Sequence, residues 1–325
     1  MNIRPSLTAL PVAVTLALAV PAVAAPPAAE VQPEHVILFV LEGFGQDSLK
    51  TGAMPVLSKL VKNGSVTWSA TAVNPPLRLP TMASIFTGMP VEKHGVDWDT
   101  FDFARGYPRP PMVFDYLDLS GGKDTAVFFM EESLYQLARP TSYVDYQICG
   151  RLRPECSAAT LVTYVRDYFK KGEQGGHSHY VYTLPHLLIV HLADAGRAGQ
   201  EQGWTSKAYR DALKNVDDAI GSILDLYKTY KLLGETMVIV TALNVMGTQK
   251  QNGSLPHVPW LASGANIKAG HTIAAPVSIM DTGATVMRAF GLETHTEWQS
   301  RAIEEIFRAT RAIVRNEPAL NLHGP

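Results

Sequence analysis

Short apolar runs recur along the chain at long intervals, and the segments between them carry apolar residues at helical spacing. The run His35-Val36-Ile37-Leu38-Phe39-Val40-Leu41 is rich in β-branched and aromatic side chains, which predicts a strand buried on both faces. Similar runs predict strands at 125–130, 187–193 and 236–242. Helical spacing predicts helices at 53–63 (Pro55 near its start, Gly64 at its end), 158–171, 206–233, 278–290 and 301–315. Wholly apolar strands alternating with helices predict an α/β fold: a mainly parallel central sheet with helices on both faces. In such sheets the chemistry gathers just beyond the carboxyl ends of the strands.

The N-terminus follows a different pattern. Arg4 supplies a short positive region, residues 7–20 are largely apolar, and Ala22-Val23-Ala24 has the small-x-small form of a cleavage site. This predicts a secretory signal peptide over residues 1–24. The apolar run is interrupted by Pro11 and falls short of the roughly 20 residues a membrane span requires. A Pro/Ala-rich lead over 25–33, expected to be disordered, a single domain over 34–316 and a tail over 317–325 complete the expected organisation. The expected location is the periplasm or outside the cell, with no transmembrane segment after cleavage.

Net charge is −2 and the basic residues are scattered, so nothing points to nucleic acid. The only two cysteines, Cys149 and Cys156, can close a short loop as a disulfide in an oxidising compartment, or remain free thiols. With no histidine close by, they make a poor zinc site.

Several segments together resemble the type I phosphodiesterase/nucleotide pyrophosphatase branch of the alkaline phosphatase superfamily. They are the strand ending Val40-Leu41-Glu42-Gly43-Phe44, the run Gly52-Ala53-Met54-Pro55-Val56-Leu57, and Leu79-Pro80-Thr81-Met82-Ala83-Ser84 with His94-Gly95-Val96 after it. The likeness resumes at 187–204, 236–247 and 258–292, with Ser278-Ile279-Met280-Asp281-Thr282 as a late helix start. The resemblance implies an alkaline phosphatase-like fold. It also implies a site in which three aspartates and three histidines hold two zinc ions around a threonine or serine nucleophile. Two close dications require anionic ligands, and together they activate the hydroxyl and clamp the transferring group.

At the positions the resemblance assigns, most of those groups are missing. The first aspartate corresponds to Glu42, either a ligand one methylene longer or a purely structural strand-end carboxylate. The nucleophile corresponds to Arg78, whose guanidinium stays protonated and cannot attack phosphorus. Thr81 and Ser84 are nearby hydroxyls, expected to pack and cap the following helix or, alternatively, to replace the nucleophile. Gly196 and Gln200 stand for an aspartate and a histidine, and Leu243 and Asn244 for another such pair. The last histidine has no clear counterpart: Gln249 and Gln251 lie in its region, and His257 is the histidine nearest to it. Asp99 replaces a substrate-binding asparagine, and its charge would repel an anion. His94 matches a structural turn histidine. His177 and His179 form a His-x-His pair in a Gly-rich loop, a spacing that can bind metal but lacks a neighbouring carboxylate or cysteine.

Six ligands for two zinc ions do not remain, so the family's zinc pair is expected to be absent and no catalytic residue is assigned. Leftover buried aspartates would be unpaired charges once the metals were gone, which favours Gly196 and Leu243. The retained Glu42 and the new cation Arg78 are expected to form an ion pair. The sequence therefore supports an exported, catalytically inactive relative acting by binding. Its partner would be another envelope protein, a glycan, a lipid head group or an active enzyme of the same fold. The alternative is a metal-dependent hydrolase of phosphate or sulfate esters with a rearranged site that uses Glu42, Asp194, His257 and a substitute hydroxyl.

Overall fold

A computed structural model describes residues 32–149, 156–174, 184–244 and 255–308. The predicted signal peptide, nearly all of the lead, the C-terminal tail, His177, His179, Gln249 and Gln251 lie outside the described residues. So does the side chain of Asn244.

The sheet has eight strands: β1 His35–Glu42, β2 Gly64–Thr71, β3 Thr125–Phe129, β4 Val144–Ile148, β5 Leu187–Leu192, β6 Thr236–Asn244, β7 His257–Gly264 and β8 His271–Thr272. Their order is β4-β3-β5-β1-β6-β7-β2-β8. The five strands from β4 to β6 are parallel, and β7 runs antiparallel to both β6 and β2. The α-helices are α1 Gln46–Lys50, α2 Pro55–Lys62, α3 Arg78–Thr87, α4 Val91–His94, α5 Val113–Gly121, α6 Ala158–Glu173, α7 Asp194–Gln202, α8 Lys207–Thr229 and α9 Asp281–Ala289.

Strand β1 is apolar on both faces because each face meets a different helical layer. Val36, Leu38 and Val40 face the core built with α3, α5 and α9. Ile37, Phe39 and Leu41 face the core built with α6 and α8. That alternation follows from the period-2 geometry of a strand. Helix starts fall where side-chain oxygens can accept backbone N–H groups. Ser157 Oγ accepts from Thr160 at the start of α6, and Ser206 Oγ accepts from Tyr209 at the start of α8.

The predicted strands are present in the expected order, and the fold is of the expected class. Two parts of the sequence reading need correction. Strands β2, β4, β7 and β8 were not anticipated: β2 reads Gly-Ser-Val-Thr-Trp-Ser-Ala-Thr and β4 Val-Asp-Tyr-Gln-Ile, neither with a wholly apolar run, and β8 has two residues. The helix expected over 301–315 is reduced, within the described residues, to a 3-10 turn at Glu304–Ile306. The chain pairs with another segment instead: Phe307 bridges Ile267 in antiparallel fashion, the Ile306 carbonyl accepts the Lys268 N–H at 2.8 Å, and the Arg308 N–H donates to the Asn266 carbonyl at 3.0 Å. Cys149, just past β4, is joined by a disulfide to Cys156, just before α6, with their Cα atoms 5.8 Å apart. Among the described residues, no helix is long and apolar enough to cross a membrane.

Candidate functional site at the strand ends

Glu42 is the last residue of β1, and its side chain is 1% exposed. Arg78 is the first residue of α3, where a long side chain can reach back across the sheet end. Arg78 Nε donates to Glu42 Oε1 at 2.5 Å and Nη2 donates to Oε2 at 3.1 Å, a two-pronged guanidinium–carboxylate pair. The neighbouring strand β5 adds His191, whose Nε2 lies 2.9 Å from Glu42 Oε1. Three elements thus converge on one carboxylate.

Electrostatics follow from that geometry. Burial alone would raise the Glu42 carboxyl, but hydrogen bonds and charge from His191 and Arg78 outweigh it and hold it at about 2. For Arg78, burial works against the charge, and Glu42, Glu131 and Asp99 overcome it, so the guanidinium is held above its ordinary range. The pair is ionised at any physiological pH.

A second ring surrounds the pair. Asp99 Oδ1 accepts the Leu79 N–H at 2.7 Å, closing the start of α3, and its Oδ2 lies 3.9 Å from Arg78 Nη1. Glu131 Oε1 lies 3.9 Å from Arg78 Nη2 and accepts from Arg197 Nη2 at 2.7 Å. Arg197 in turn donates to the carbonyls of Met130 at 2.6 Å and Cys156 at 2.9 Å. Burial pushes the Asp99 carboxyl up, only partly offset by the Leu79 amide and Arg78.

The other predicted positions are not brought to Glu42 as ligands. Gly196, in the first turn of α7, packs so close that a Cβ there would lie 2.6 Å from Glu42 Cβ. Gly43, at φ +71°, makes the same approach from the β1 side: a Cβ on it would meet Gly196 Cα at 2.8 Å and Trp204 at 2.9 Å. Glu42 Cβ itself occupies the space a side chain at 196 would need, with Oε2 next at 3.1 Å, so glycine there is sterically required as well as electrostatically favourable. Leu243 is buried in the core, and Gln200 is exposed on α7.

The residual ligands considered for a rearranged site have other partners or places. Asp194 Oδ2 accepts the Ala158 N–H at 2.7 Å and so closes the start of α6. His257 is exposed at the start of β7. Among the described residues, no group of three or more His, Cys, Asp or Glu side chains is arranged to hold a metal ion. Both oxygens of Glu42 are engaged by side chains, and these donors do not fit a two-zinc centre.

The substitute hydroxyls are also poorly placed for chemistry. Thr81 is wholly buried, and its Oγ1 has no hydrogen-bond partner. Ser84 and His94 form a buried pair, Ser84 Oγ to His94 Nε2 at 2.9 Å, while His94 Nδ1 accepts the Val96 N–H at 3.1 Å. Burial lowers His94 to about 4, so its imidazole is neutral. This dyad stitches α3 to α4 and is sealed from solvent.

His191, Glu131 and Arg197 were missed in the sequence. His191 carried a signal: it is the one polar residue inside the apolar strand Leu-Leu-Ile-Val-His-Leu. Its Nδ1 is buried without a hydrogen-bond partner, a cost of about 1–3 kcal/mol that the contact with Glu42 offsets.

Residues 36–275 match the family of type I phosphodiesterases and nucleotide pyrophosphatases, and the chain belongs to that family. Among curated relatives, human ectonucleotide pyrophosphatase/phosphodiesterase family member 1 is 40% identical over 211 residues, covering 60% of this chain and 22% of that protein. The rat protein of the same name is 25% identical over 216 residues, covering 61% and 22%. The chain thus spans about a fifth of the length of these relatives. Among solved structures, murine ectonucleotide pyrophosphatase/phosphodiesterase 5, an inactive form in complex with AMP, superposes with a TM-score of 0.63 at 12% identity. That match covers 84% of this chain and 99% of that one. A 2-O GAG sulfatase gives a TM-score of 0.63 at 12% identity, covering 86% and 75%. These likenesses establish an alkaline phosphatase-like fold and a hydrolase-like protein.

Proposed function

We propose that this chain is an exported, catalytically inactive member of its family that works by binding at the strand-end face. One observation carries the reading. The residue at the family's nucleophile position is a guanidinium locked onto Glu42. Arg78 can neither be deprotonated for attack nor move aside without stranding a buried carboxylate. The part of the positive charge that zinc supplies in active relatives is here supplied by Arg78. The family's zinc pair is absent on this reading, and export rests on the N-terminal pattern.

Purified protein is expected to show no turnover above background on phosphodiesters, phosphomonoesters or sulfate esters with added zinc, manganese or magnesium. Its metal content by mass spectrometry is expected to be well below one ion per chain. N-terminal sequencing of the same exported preparation is expected to begin at or near Ala25. Arg78→Thr alone is not expected to restore activity, because no metals would activate the new hydroxyl. Turnover that survives repurification and vanishes in Glu42→Ala would overturn the proposal.

A further inference from the structure

The exposed apolar side chains are not spread evenly. Of the five most exposed large ones among the described residues, Leu77, Phe101, Phe103 and Tyr107 flank Arg78 and Asp99 in sequence, and Leu119 is the exception. Phe103 is 84% exposed and Phe101 is 44% exposed. Their loop is held in place. Phe101 packs edge-on against Tyr135 with ring centroids 5.9 Å apart, and Arg105 lies 4.5 Å above the Trp98 ring. The Asp102 N–H donates to Gln136 Oε1 at 2.9 Å, and Gln136 Nε2 returns a hydrogen bond to the Gly106 carbonyl. Tyr135 and Gln136 belong to the 3-10 turn Glu132–Leu137, directly after Glu131. The aromatic loop is therefore anchored beside the carboxylates that ring Arg78.

That ring has an unusual spacing. Arg78 uses Nε and one N–H of Nη2 on Glu42, so both N–H groups of Nη1 and one of Nη2 remain. These face Asp99 Oδ2 and Glu131 Oε1 at 3.9 Å each, too far for direct hydrogen bonds. A hydroxyl oxygen about 2.8 Å from both atoms of such a pair would bridge it at roughly a right angle, accepting from the guanidinium and donating to the carboxylate. One such gap is open, between Arg78 Nη1 and Asp99 Oδ2 beside a guanidinium that is 20% exposed; Glu131 Oε1 already accepts from both Nε and Nη2 of Arg197, at 2.8 and 2.7 Å.

We propose that this face binds an uncharged carbohydrate, with a sugar hydroxyl bridging Arg78 Nη1 to Asp99 Oδ2 and with Phe101 and Phe103 stacking on the sugar's C–H face. The inference rests on the binding reading above and names its ligand class. Charge separates the alternatives. Glu42, Asp99 and Glu131 outnumber Arg78 and Arg197 around the site, so a phosphate or sulfate group would meet more carboxylate than free cation. A cationic ligand would meet two guanidiniums that are already in place. A neutral polyol suffers neither repulsion, and each of its hydroxyls can donate and accept at once.

The test is binding of full-length mature protein to an array of uncharged glycans, with hits quantified by isothermal titration calorimetry against a sulfated tetrasaccharide and AMP. At least one uncharged glycan is expected to bind and the two anionic probes are expected not to. Phe103→Ala, a change at an exposed ring, is expected to weaken binding at least tenfold with an unchanged melting temperature, and Asp99→Asn to weaken it as well. No uncharged glycan bound at millimolar concentration, tighter binding of an anionic probe, or affinity indifferent to Phe101→Ala and Phe103→Ala would overturn the inference. Hydrolysis of AMP or a sulfate ester would instead sink the preceding reading. Failure of glycan binding without hydrolysis sinks only this one.

Discussion

Buried and half-buried carboxylates among the described residues fall into two regions that treat negative charge in opposite ways. At the strand ends, Glu42 is tied to Arg78 and His191 and its carboxyl is held at about 2. At the helix starts, Asp99, Asp194, Asp217 and Asp281 each accept backbone N–H groups, and burial pushes every one of them up. Asp217, on α8, is the clearest of these, with its two oxygens on the Val56 and Leu57 N–H groups of α2 at 2.9 and 2.8 Å. Backbone dipoles satisfy a carboxylate without giving it a counter-charge, whereas a guanidinium does both. Of these five carboxylates, Glu42 is the one in hydrogen-bond contact with a guanidinium, while Asp99 lies 3.9 Å from the same group.

The sharpest way to break the comparison is a double-mutant cycle. Glu42→Gln and Arg78→Met should each cost about 3–5 kcal/mol in denaturant unfolding, since either change strands a buried partner. The double variant should cost clearly less than the sum. Asp99 and Glu131 reduce the expected loss for Glu42→Gln, because they still face the guanidinium at 3.9 Å. Additive effects would mean that Glu42 is no more dependent on a charged partner than the helix-start aspartates are.

A smaller effect tests the steric half of the site. Gly196→Ala places a Cβ 2.6 Å from Glu42 Cβ and 3.1 Å from Oε2, so something must shift. A loss of about 1–3 kcal/mol is expected, in line with overpacking of a rigid core. In a Glu42→Gly background the same substitution should cost less, because the Cβ at 2.6 Å and the Oε2 at 3.1 Å are both gone. Thermal unfolding of the four proteins checks this, and an equal cost in both backgrounds would disprove the steric link.

Much of the fold was legible because the four inner parallel strands, β1, β3, β5 and β6, are almost wholly apolar, and that pattern survives without knowledge of partners; β4, at the edge, reads Val-Asp-Tyr-Gln-Ile and was not legible. Strands β2 and β7 escaped because their positions depend on pairing at a mixed edge, where polar residues such as Ser65 and Thr67 are tolerated. The described residues 301–308 show the same limit: the spacing was helical, but the chain there pairs with residues 266–268, Phe307 bridging Ile267. In the site, Glu42 and Arg78 were readable as a pair because the family resemblance placed both at one point. His191, Glu131 and Arg197 were not, since the sequence does not reveal which strand neighbours β1 or which loop folds back over it. Asp194 and Asp99 looked like site carboxylates, and their hydrogen bonds to helix-start amides appear only in three dimensions.

The smallest expected effect, and the one that separates the two regions by sign, is the response of Asp217→Asn to pH. Asparagine keeps one carbonyl oxygen for Val56 or Leu57 and leaves the other amide unpaired, but it also removes a buried charge with no counter-ion. A net loss of about 1 kcal/mol at neutral pH is expected. The pH dependence is more telling. Glu42 has a native value of about 2 against 4.5 when unfolded, so its contribution is fully present above 4.5 and lost as pH falls toward 2. The Asp217 carboxyl is pushed up by burial, with the Val56 and Leu57 amides only partly offsetting it. The native state therefore binds its proton more readily than the unfolded chain, and its stabilising contribution grows as pH falls toward 3.8. Stability of the Asp217→Asn protein should fall more steeply with acid than that of the wild type, and that of Glu42→Gln less steeply. Urea unfolding at a series of pH values from 7 to 3 reads both slopes. Slopes that change in the same direction would show that Asp217 also depends on a cation, and the distinction between the two regions would fail.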